Sequence, residues 1–251
     1  MEIVNFQKEQ MDGGLRLVPE PADPFDVVKL EQQFVNFIFF RADPTWRKLD
    51  PESKARCKAG FAKVFEGYRS DLLLFTYSLV GFESAADMMF WRIGDSLDRL
   101  QEMTADLNRT ELGGYLETAD NYLSVTKSRM FVADSTEDRN HVIAGRSKYH
   151  FFYPCSKQQE WHEMPAADRD VMIEENFMVG KRFPNIRIHM THAIGFGDRE
   201  YLISFETDEP RDFLALAAEL RETAASKYTQ QGLPVYTCRQ RTLIECLDAL
   251  G

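Results

Sequence analysis

Thr76-Tyr77-Ser78-Leu79-Val80-Gly81-Phe82 in the first half of the chain is answered by Met190-Thr191-His192-Ala193-Ile194-Gly195-Phe196 in the second. Each is a strand-like run closed by a glycine, the residue that turns the backbone where other side chains resist it. A second echo follows at nearly the same distance downstream: Leu107-Asn108-Arg109-Thr110 against Leu220-Arg221-Glu222-Thr223. Two echoes in register indicate a duplicated unit.

Working outward, each half reads as strand–helix–strand–strand–helix–strand. In the first, aromatic and β-branched residues predict a strand over 34–40. Pro51 opens a helix to about 68, with Phe61, Val64 and Phe65 at helical spacing. Strands follow at 72–80 and 87–91, then a helix from its N-cap Ser96 to 109 and a last strand over 122–126. In the second half a strand over 149–153 is expected to stop at Pro154, and a helix over 166–179 to stop at Gly180. Strands over 186–194 and 201–205, a helix from Pro210 to 227 and a strand over 235–238 complete the series.

That order is a split βαβ unit, so the fold class is α+β: tandem ferredoxin-like lobes in a dimeric α/β-barrel arrangement. The antiparallel sheets carry helices on the outer face and bury their bare faces against each other. The expected divisions are an N-terminal arm (1–28), an N-terminal lobe (29–128), a polar connector (129–145) and a C-terminal lobe (146–251). The arm, with Gly13-Gly14 and the prolines between 19 and 24, reads as lying on the surface or wrapped round a neighbour.

Composition narrows the function. A formal net charge of -10 over 251 residues argues against a general nucleic-acid binder, which needs clustered Lys and Arg. No apolar run approaches the roughly 20 residues that span a bilayer, and the N-terminus has no signal-peptide pattern, so a cytoplasmic protein is expected. Cys57, Cys155, Cys238 and Cys246 include no C-x-x-C pair, and reduced structural thiols are the expectation.

Several runs resemble the chlorite dismutase / coproheme decarboxylase family. In the first half they are Asp43-Pro44-Thr45-Trp46-Arg47-Lys48-Leu49, Asp87-Met88-Met89-Phe90-Trp91 and Arg109-Thr110-Glu111-Leu112-Gly113. In the second they are Tyr153-Pro154-Cys155-Ser156-Lys157, Glu160-Trp161, Gly180-Lys181-Arg182-Phe183-Pro184, Gly195-Phe196-Gly197-Asp198 and Phe205-Glu206-Thr207-Asp208. The resemblance runs from about 34 to 239. It implies haem b or coproheme bound in the C-terminal lobe, a homo-oligomer (a pentamer above other ring sizes), and either chlorite dismutation or peroxide-dependent decarboxylation of coproheme.

By the same resemblance, the family's proximal iron ligand is a His in a Glu-His-x-x-x-Gly context. Here Glu175-Asn176-Phe177-Met178-Val179-Gly180 puts Asn176 at that place. A carboxamide nitrogen is a poor iron ligand because its lone pair is delocalised. Asn176 either hydrogen-bonds within the lobe or faces a pocket emptied of haem or adapted to another ligand. Ile188 stands where chlorite dismutases carry a distal Arg, which argues against chlorite dismutation but does not exclude decarboxylation, since the resemblance includes decarboxylases with a small apolar residue there. Tyr153 matches the radical-forming Tyr of the decarboxylases and Lys157 a nearby Lys; both are candidate catalytic residues.

Strand alternation over 186–194 puts Ile188, Met190 and His192 on one face and His189 on the other. The candidate cofactor-binding residues are therefore Asn176, Met172, Ile188, Met190 and His192. His192 is a candidate ligand for a non-haem metal or a general base, or a packing residue. Cys155 is either filler or a soft ligand or redox group. The expected partner is a porphyrin or another small molecule. Two alternatives stand beside the decarboxylase-like enzyme: a member using a non-haem metal or organic cofactor in the same pocket, and a non-catalytic haem-binding or assembly protein.

Overall fold

Val35, Phe37 and Phe39 of the strand Phe34–Ala42 join one buried cluster, while Ile38 and Phe40 join another. A strand apolar on both faces must be covered on both faces. One face meets helices and the other meets a second sheet, and this layering organises the rest.

The computed structural model describes residues 6–11, 14–19, 32–127, 131–132, 142–231 and 235–251. Met1–Glu31 and Gln32–Gly251 are separate units. Within the first, β1 (Phe6–Met11) and β2 (Gly14–Pro19) pair antiparallel from Phe6↔Pro19 to Met11↔Gly14, so the expected arm contains a hairpin. The second unit begins with β3 (Phe34–Ala42), α1 (Pro51–Glu66), β4 (Leu73–Ser78), β5 (Met88–Gly94), α2 (Leu97–Asn108) and β6 (Leu116–Val125). Two short strands, β7 (Phe131–Val132) and β8 (Val142–Ile143), lie in the connector and pair in parallel. The second half supplies β9 (Tyr149–Lys157), α3 (Gln159–Glu163), α4 (Ala166–Lys181), β10 (Arg187–His192) and β11 (Tyr201–Thr207). It ends with α5 (Pro210–Glu222), β12 (Thr229–Gln231), β13 (Tyr236–Gln240) and α6 (Leu243–Ala249).

The strand order β6-β3-β5-β4 in the first half is matched by β13-β9-β11-β10 in the second, both antiparallel throughout. These are two ferredoxin-like sheets. Their edges also meet, at His192↔Val125 between β10 and β6 and at Arg239↔Ser78 and Gln240↔Tyr77 between β13 and β4. The expected pair of stacked sheets is thus one hydrogen-bonded ring, with β12 added on the rim of β9. Closure removes the unpaired edges that separate sheets would expose. The duplication is visible in the backbone too: Gly81 and Gly195, which close the two echoing runs, have φ of 82° and 88°. A side chain at either would meet open space, so conformation alone calls for glycine.

Several boundaries differ from the sequence reading. Strand β9 runs on through Pro154 because Pro154 pairs with Leu202 on one side. On the other it falls between the Tyr236↔Phe152 and Gln231↔Cys155 pairs, where no ladder partner needs its missing N–H. Helix α4 continues through Gly180 to Lys181, since a glycine in helical conformation weakens a helix without ending it. The helix expected to 227 ends at Glu222 and gives way to a 3₁₀ turn at Ala224–Tyr228. The connector is sewn in at both ends: the Gln33 side chain bonds both backbone groups of Phe131, and Gly145 N donates to Glu206 Oε1 at 2.8 Å. The polar run at 135–140 lies outside the described residues. No helix among them is long and apolar enough to cross a membrane.

Inside the ring the two halves meet through aromatic rings: Phe37–Phe152 at 4.5 Å, Phe39–Tyr236 at 3.8 Å and Trp91–His150 at 5.0 Å between centroids. His150 is fully buried among Phe37, Tyr77 and Trp91, and neither ring nitrogen has a hydrogen-bond partner among the described residues. Burial lowers its pKa to about 4. Beside it on β11, buried Glu206 accepts from His189 Nε2 at 2.9 Å. Burial pushes the Glu206 carboxyl up, but the His189 hydrogen bond and the neighbouring His150, His189 and Arg187 outweigh it and hold the carboxyl below its ordinary value.

Outside the ring the lobes differ. Helix α1 is capped by Asp50, whose carboxylate accepts from Ser53 N at 2.9 Å, and it buries Cys57, Phe61 and Phe65 against the sheet. Its counterpart α4 has the same length but no side-chain cap and buries only Val179.

Two outcomes follow. A His150 pKa depressed in the folded state means stability that is complete above the unfolded value near 6.5 and is lost as pH falls toward 4. This amounts to about 3 kcal/mol. Chemical denaturation from pH 7 to 4 should show that loss, and His150→Phe should remove most of it while Glu206 contributes the rest. Second, Phe61→Ala should cost about 3–5 kcal/mol and Phe177→Ala on α4 less than about 0.5, as read by urea unfolding.

Candidate functional site

Strand register assembles the outer face of the C-terminal lobe. Across β10, β11 and β9 the rows are Ile188–Phe205–Phe151, Met190–Ile203–Tyr153 and His192–Tyr201–Cys155. Ile188, Met190 and His192 do share one face, and His189 and Thr191 are buried on the other. Tyr153 and Cys155 lie on that same outer face, because the strand keeps its alternation through Pro154.

Helix α4 and helix α5 lie over this face. Under α5 the surface is packed: Phe151 stacks on Phe213 at 3.8 Å, and Phe205 and Leu216 are buried beside them. Under α4 it is open. Ile188 and Met190 are 43% and 48% exposed, although they belong to a sheet face that a helix should cover. On the helix, Phe177 is 56% exposed, and Met172 and Asn176 are only partly buried. Contact is closest at one end, where Gly180 leaves just enough room for the Ile188 side chain. The result is an apolar groove, open to solvent, between α4 and β10. The helix is held over it by its C-terminal half: Glu175 accepts from Ala224 N at 2.9 Å, and Arg182 pairs with Glu219 of α5.

Helical geometry puts Met172, Asn176 and Val179 along one stripe of α4, toward the sheet. The Oδ1 of Asn176 is buried and has no hydrogen-bond partner among the described residues. An unmade hydrogen bond of this kind costs about 1–3 kcal/mol. The reading in which Asn176 hydrogen-bonds within the lobe therefore finds no partner for this oxygen.

Tyr153 lies about 10 Å from Met190, two strand spacings across the row. Its ring stands edge-on to Phe205 at 5.6 Å and Phe213 at 5.9 Å. Burial raises its pKa against the pull of Arg221, so the phenol is protonated at neutral pH. Its hydroxyl makes no hydrogen bond with the described residues. Lys157 lies on the same face but is engaged: Nζ donates to Thr229 Oγ1 at 2.6 Å and sits 4.2 Å over the Trp161 ring. Burial lowers its pKa.

Cys155 is buried, and desolvation pushes its pKa to about 11, which leaves almost no thiolate at neutral pH. His192 is half-buried against Tyr201, and burial, with Lys127 adding to it, lowers its pKa, so it is a neutral imidazole at pH 7. No group of three or more His, Cys, Asp or Glu among the described residues is arranged to hold a metal ion. Thr229, which holds the Lys157 ammonium, comes from a distant segment and no local sequence signal marks it. Trp161 and Arg221, which complete the surroundings of Lys157 and Tyr153, fall in the quoted runs Glu160-Trp161 and Leu220-Arg221-Glu222-Thr223. Two hollows lie elsewhere: about 470 Å³ beside α2 near Tyr68 and Arg99, and about 220 Å³ between Asp120 and Arg199.

Comparison with known proteins bears on the family and the fold. The sequence profile of the family described as Chlorite dismutase matches residues 54–241. The coproheme decarboxylase of Mycolicibacterium smegmatis is 26% identical over 166 residues, covering 64% of this chain and 70% of that protein. The chlorite dismutase of Candidatus Nitrospira defluvii in complex with imidazole superposes with a TM-score of 0.79. It is 22% identical, over 89% of this chain and 97% of that one. A variant of it in complex with cyanide gives the same score and identity over 89% and 96%. At such identity the structural likeness speaks for the fold. With its profile matched over well more than half its length, the chain belongs to the chlorite dismutase family.

Proposed function

We propose that the groove between α4 and β10 binds a tetrapyrrole of the haem or coproheme class, and that the reaction is decarboxylase-like and peroxide-dependent. The observation that carries this reading is the row Met190–Ile203–Tyr153. It places Tyr153, protonated at neutral pH and with no hydrogen bond from its hydroxyl to the described residues, two strand spacings (about 10 Å) along the sheet from the exposed Met190. A flat apolar ring lying on Ile188 and Met190 would present its rim, where the carboxylate side chains are, to Tyr153.

The residues present fit the ring better than they fit an imidazole-bound iron. Ile188, Met190, Met172 and Phe177 offer apolar walls, and Asn176 offers an oxygen where the family resemblance implies a nitrogen. When bound, an iron tetrapyrrole supplies the oxidising equivalents drawn from peroxide. With that oxidant present, Tyr153 Oη would pass its proton and one electron to it and take a hydrogen atom back from the carboxylate side chain that loses carbon dioxide, and the Phe205 and Phe213 rings hold the phenol's orientation. Lys157 is a fixed positive charge on the same face, which favours an approaching carboxylate. Ile188 provides no cationic group to hold chlorite, which disfavours dismutation. Assembly of several copies belongs to the same reading.

Asn176 also favours a second reading, in which the protein binds or delivers the tetrapyrrole without turning it over. The two separate by experiment. Ferric coproheme should give a shifted Soret band on titration into the full chain, and peroxide should then release carbon dioxide. Tyr153→Phe should lower that release by at least about 100-fold with coproheme affinity within about twofold. Binding without carbon dioxide favours the delivery reading, and an active Tyr153→Phe variant contradicts the role given to Tyr153. Asn176→His should raise coproheme affinity; an unchanged affinity would speak against a ring lying over α4.

A further inference from the structure

We infer that the hollow between β6 and the loop after β10 binds a small monocarboxylate. An oxygen of that ligand accepts from Leu123 N and takes the place that a glutamate side chain fills at the matching seam of the ring. The site shares none of the residues assigned to the groove between α4 and β10, and it stands whether or not a tetrapyrrole binds there.

The duplicated unit closes the ring at two equivalent seams, β4 with β13 and β10 with β6. Ser78 pairs with Arg239 at one and His192 with Val125 at the other, and Ser78 and His192 occupy the same place in the echoing runs. Two residues back from Arg239 and Val125, Thr237 therefore matches Leu123, and Tyr236 beside it matches Tyr122. The loops that follow the echoes fold alike. Leu79 N donates to Asp87 O and Ala193 N to Glu200 O, both at 2.8 Å. Phe82 N donates to Leu79 O at 2.8 Å and Phe196 N to Ala193 O at 2.9 Å. The next residue is Glu83 in one loop and Gly197 in the other.

At the β4–β13 seam Glu83 reaches the strand edge, where its Oε1 accepts from Thr237 N at 3.3 Å. At the β10–β6 seam Gly197 has no side chain to do so. Thr126 N donates to Gln33 O, so alternation along the β3–β6 ladder turns Leu123 N away from β3 and toward the seam. There β6 meets β10 only at Val125, and no described residue accepts from Leu123 N. A Cβ on Gly197 would have nothing within 4 Å of it. The open space is the hollow of about 220 Å³. Tyr122 and Leu123 both line it, although Tyr122 packs into the interior cluster and Leu123 into the helix-side cluster, so it runs along the backbone edge of β6.

The walls select the ligand. Leu123 N needs an acceptor, as Thr237 N does. Arg199 also lines the hollow, and its ion pair among the described residues is with the exposed Asp198 at 3.5 Å, so its guanidinium favours an anionic acceptor. Asp120 and Asp198 are there too. The Tyr236 hydroxyl occupies Asp120, and both carboxylates repel a second negative charge, which restricts the ligand to one. Ala193, Phe196 and Leu202 supply an apolar wall for a short hydrocarbon tail.

The test titrates sodium butyrate into the isotope-labelled full chain and reads the Leu123 amide by NMR, with sodium chloride at equal ionic strength as the control. Butyrate should move the Leu123 amide proton downfield and saturate; chloride should not. Gly197→Glu should shift that proton downfield without butyrate and weaken butyrate binding at least about tenfold. Arg199→Gln should weaken it about fivefold, and Gly197→Ala, which adds a methyl but no acceptor, should bind within about twofold of the parent. Circular dichroism checks that each variant is folded. A shift that does not saturate or that chloride reproduces would overturn the site. So would undiminished affinity in Gly197→Glu or Arg199→Gln, or an equal loss in Gly197→Ala and Gly197→Glu. A Leu123 proton already downfield in the parent, and moving back only on dilution, would place a second copy's carboxylate there and overturn the free ligand.

Discussion

The aromatic contacts across the inside of the ring are what the rest of the molecule depends on. Phe37, Phe39 and Trp91 from the first half meet Phe152, Tyr236 and His150 from the second, all six almost completely buried. Aromatic side chains bury large areas and add specific ring–ring attraction, so this layer can hold two sheets together without help from the outer faces. Edge pairing of β10 with β6 and of β13 with β4 then follows as a geometric consequence.

Because the interior bears that burden, the two outer faces are free to differ. In the first half the helix face is filled: α1, α2 and α6 close over Phe90, Met88 and Leu74 to form a second core. In the second half only the α5 side is filled, and α4 stands over Ile188 and Met190 without covering them. An exposed apolar strand beneath an uncapped helix is unfavourable for an isolated chain and useful for one that receives an apolar ligand. The duplication itself argues for this view. One copy of the unit shows what a completed helix face looks like, and the other departs from it where the groove lies.

Much of this was legible in the residues. Alternation along 186–194 gave the correct face for Ile188, Met190 and His192, and the glycine-closed echoes gave the duplication that the paired left-handed glycines later mirrored. Local rules misled where a distant partner decided the outcome. Pro154 looks like a strand terminator, yet a gap between β12 and β13 accommodates it. The engagement of Lys157 by Thr229, and the unpaired oxygen of Asn176, depend on how separate segments pack, and no spacing in the sequence encodes them. The buried His150 and Glu206 were likewise invisible as neighbours, since only the β9–β11 register brings them together.

In the function proposed above, a planar ligand completes the unfinished face of the C-terminal lobe. Amide hydrogen exchange with and without coproheme tests it most directly. The account predicts slowed exchange concentrated in Ala166–Lys181 and Arg187–His192, with the matching elements of the first half, Pro51–Glu66 and Leu73–Ser78, unchanged. Protection confined to the hollow between Asp120 and Arg199, or absent from α4, would contradict it.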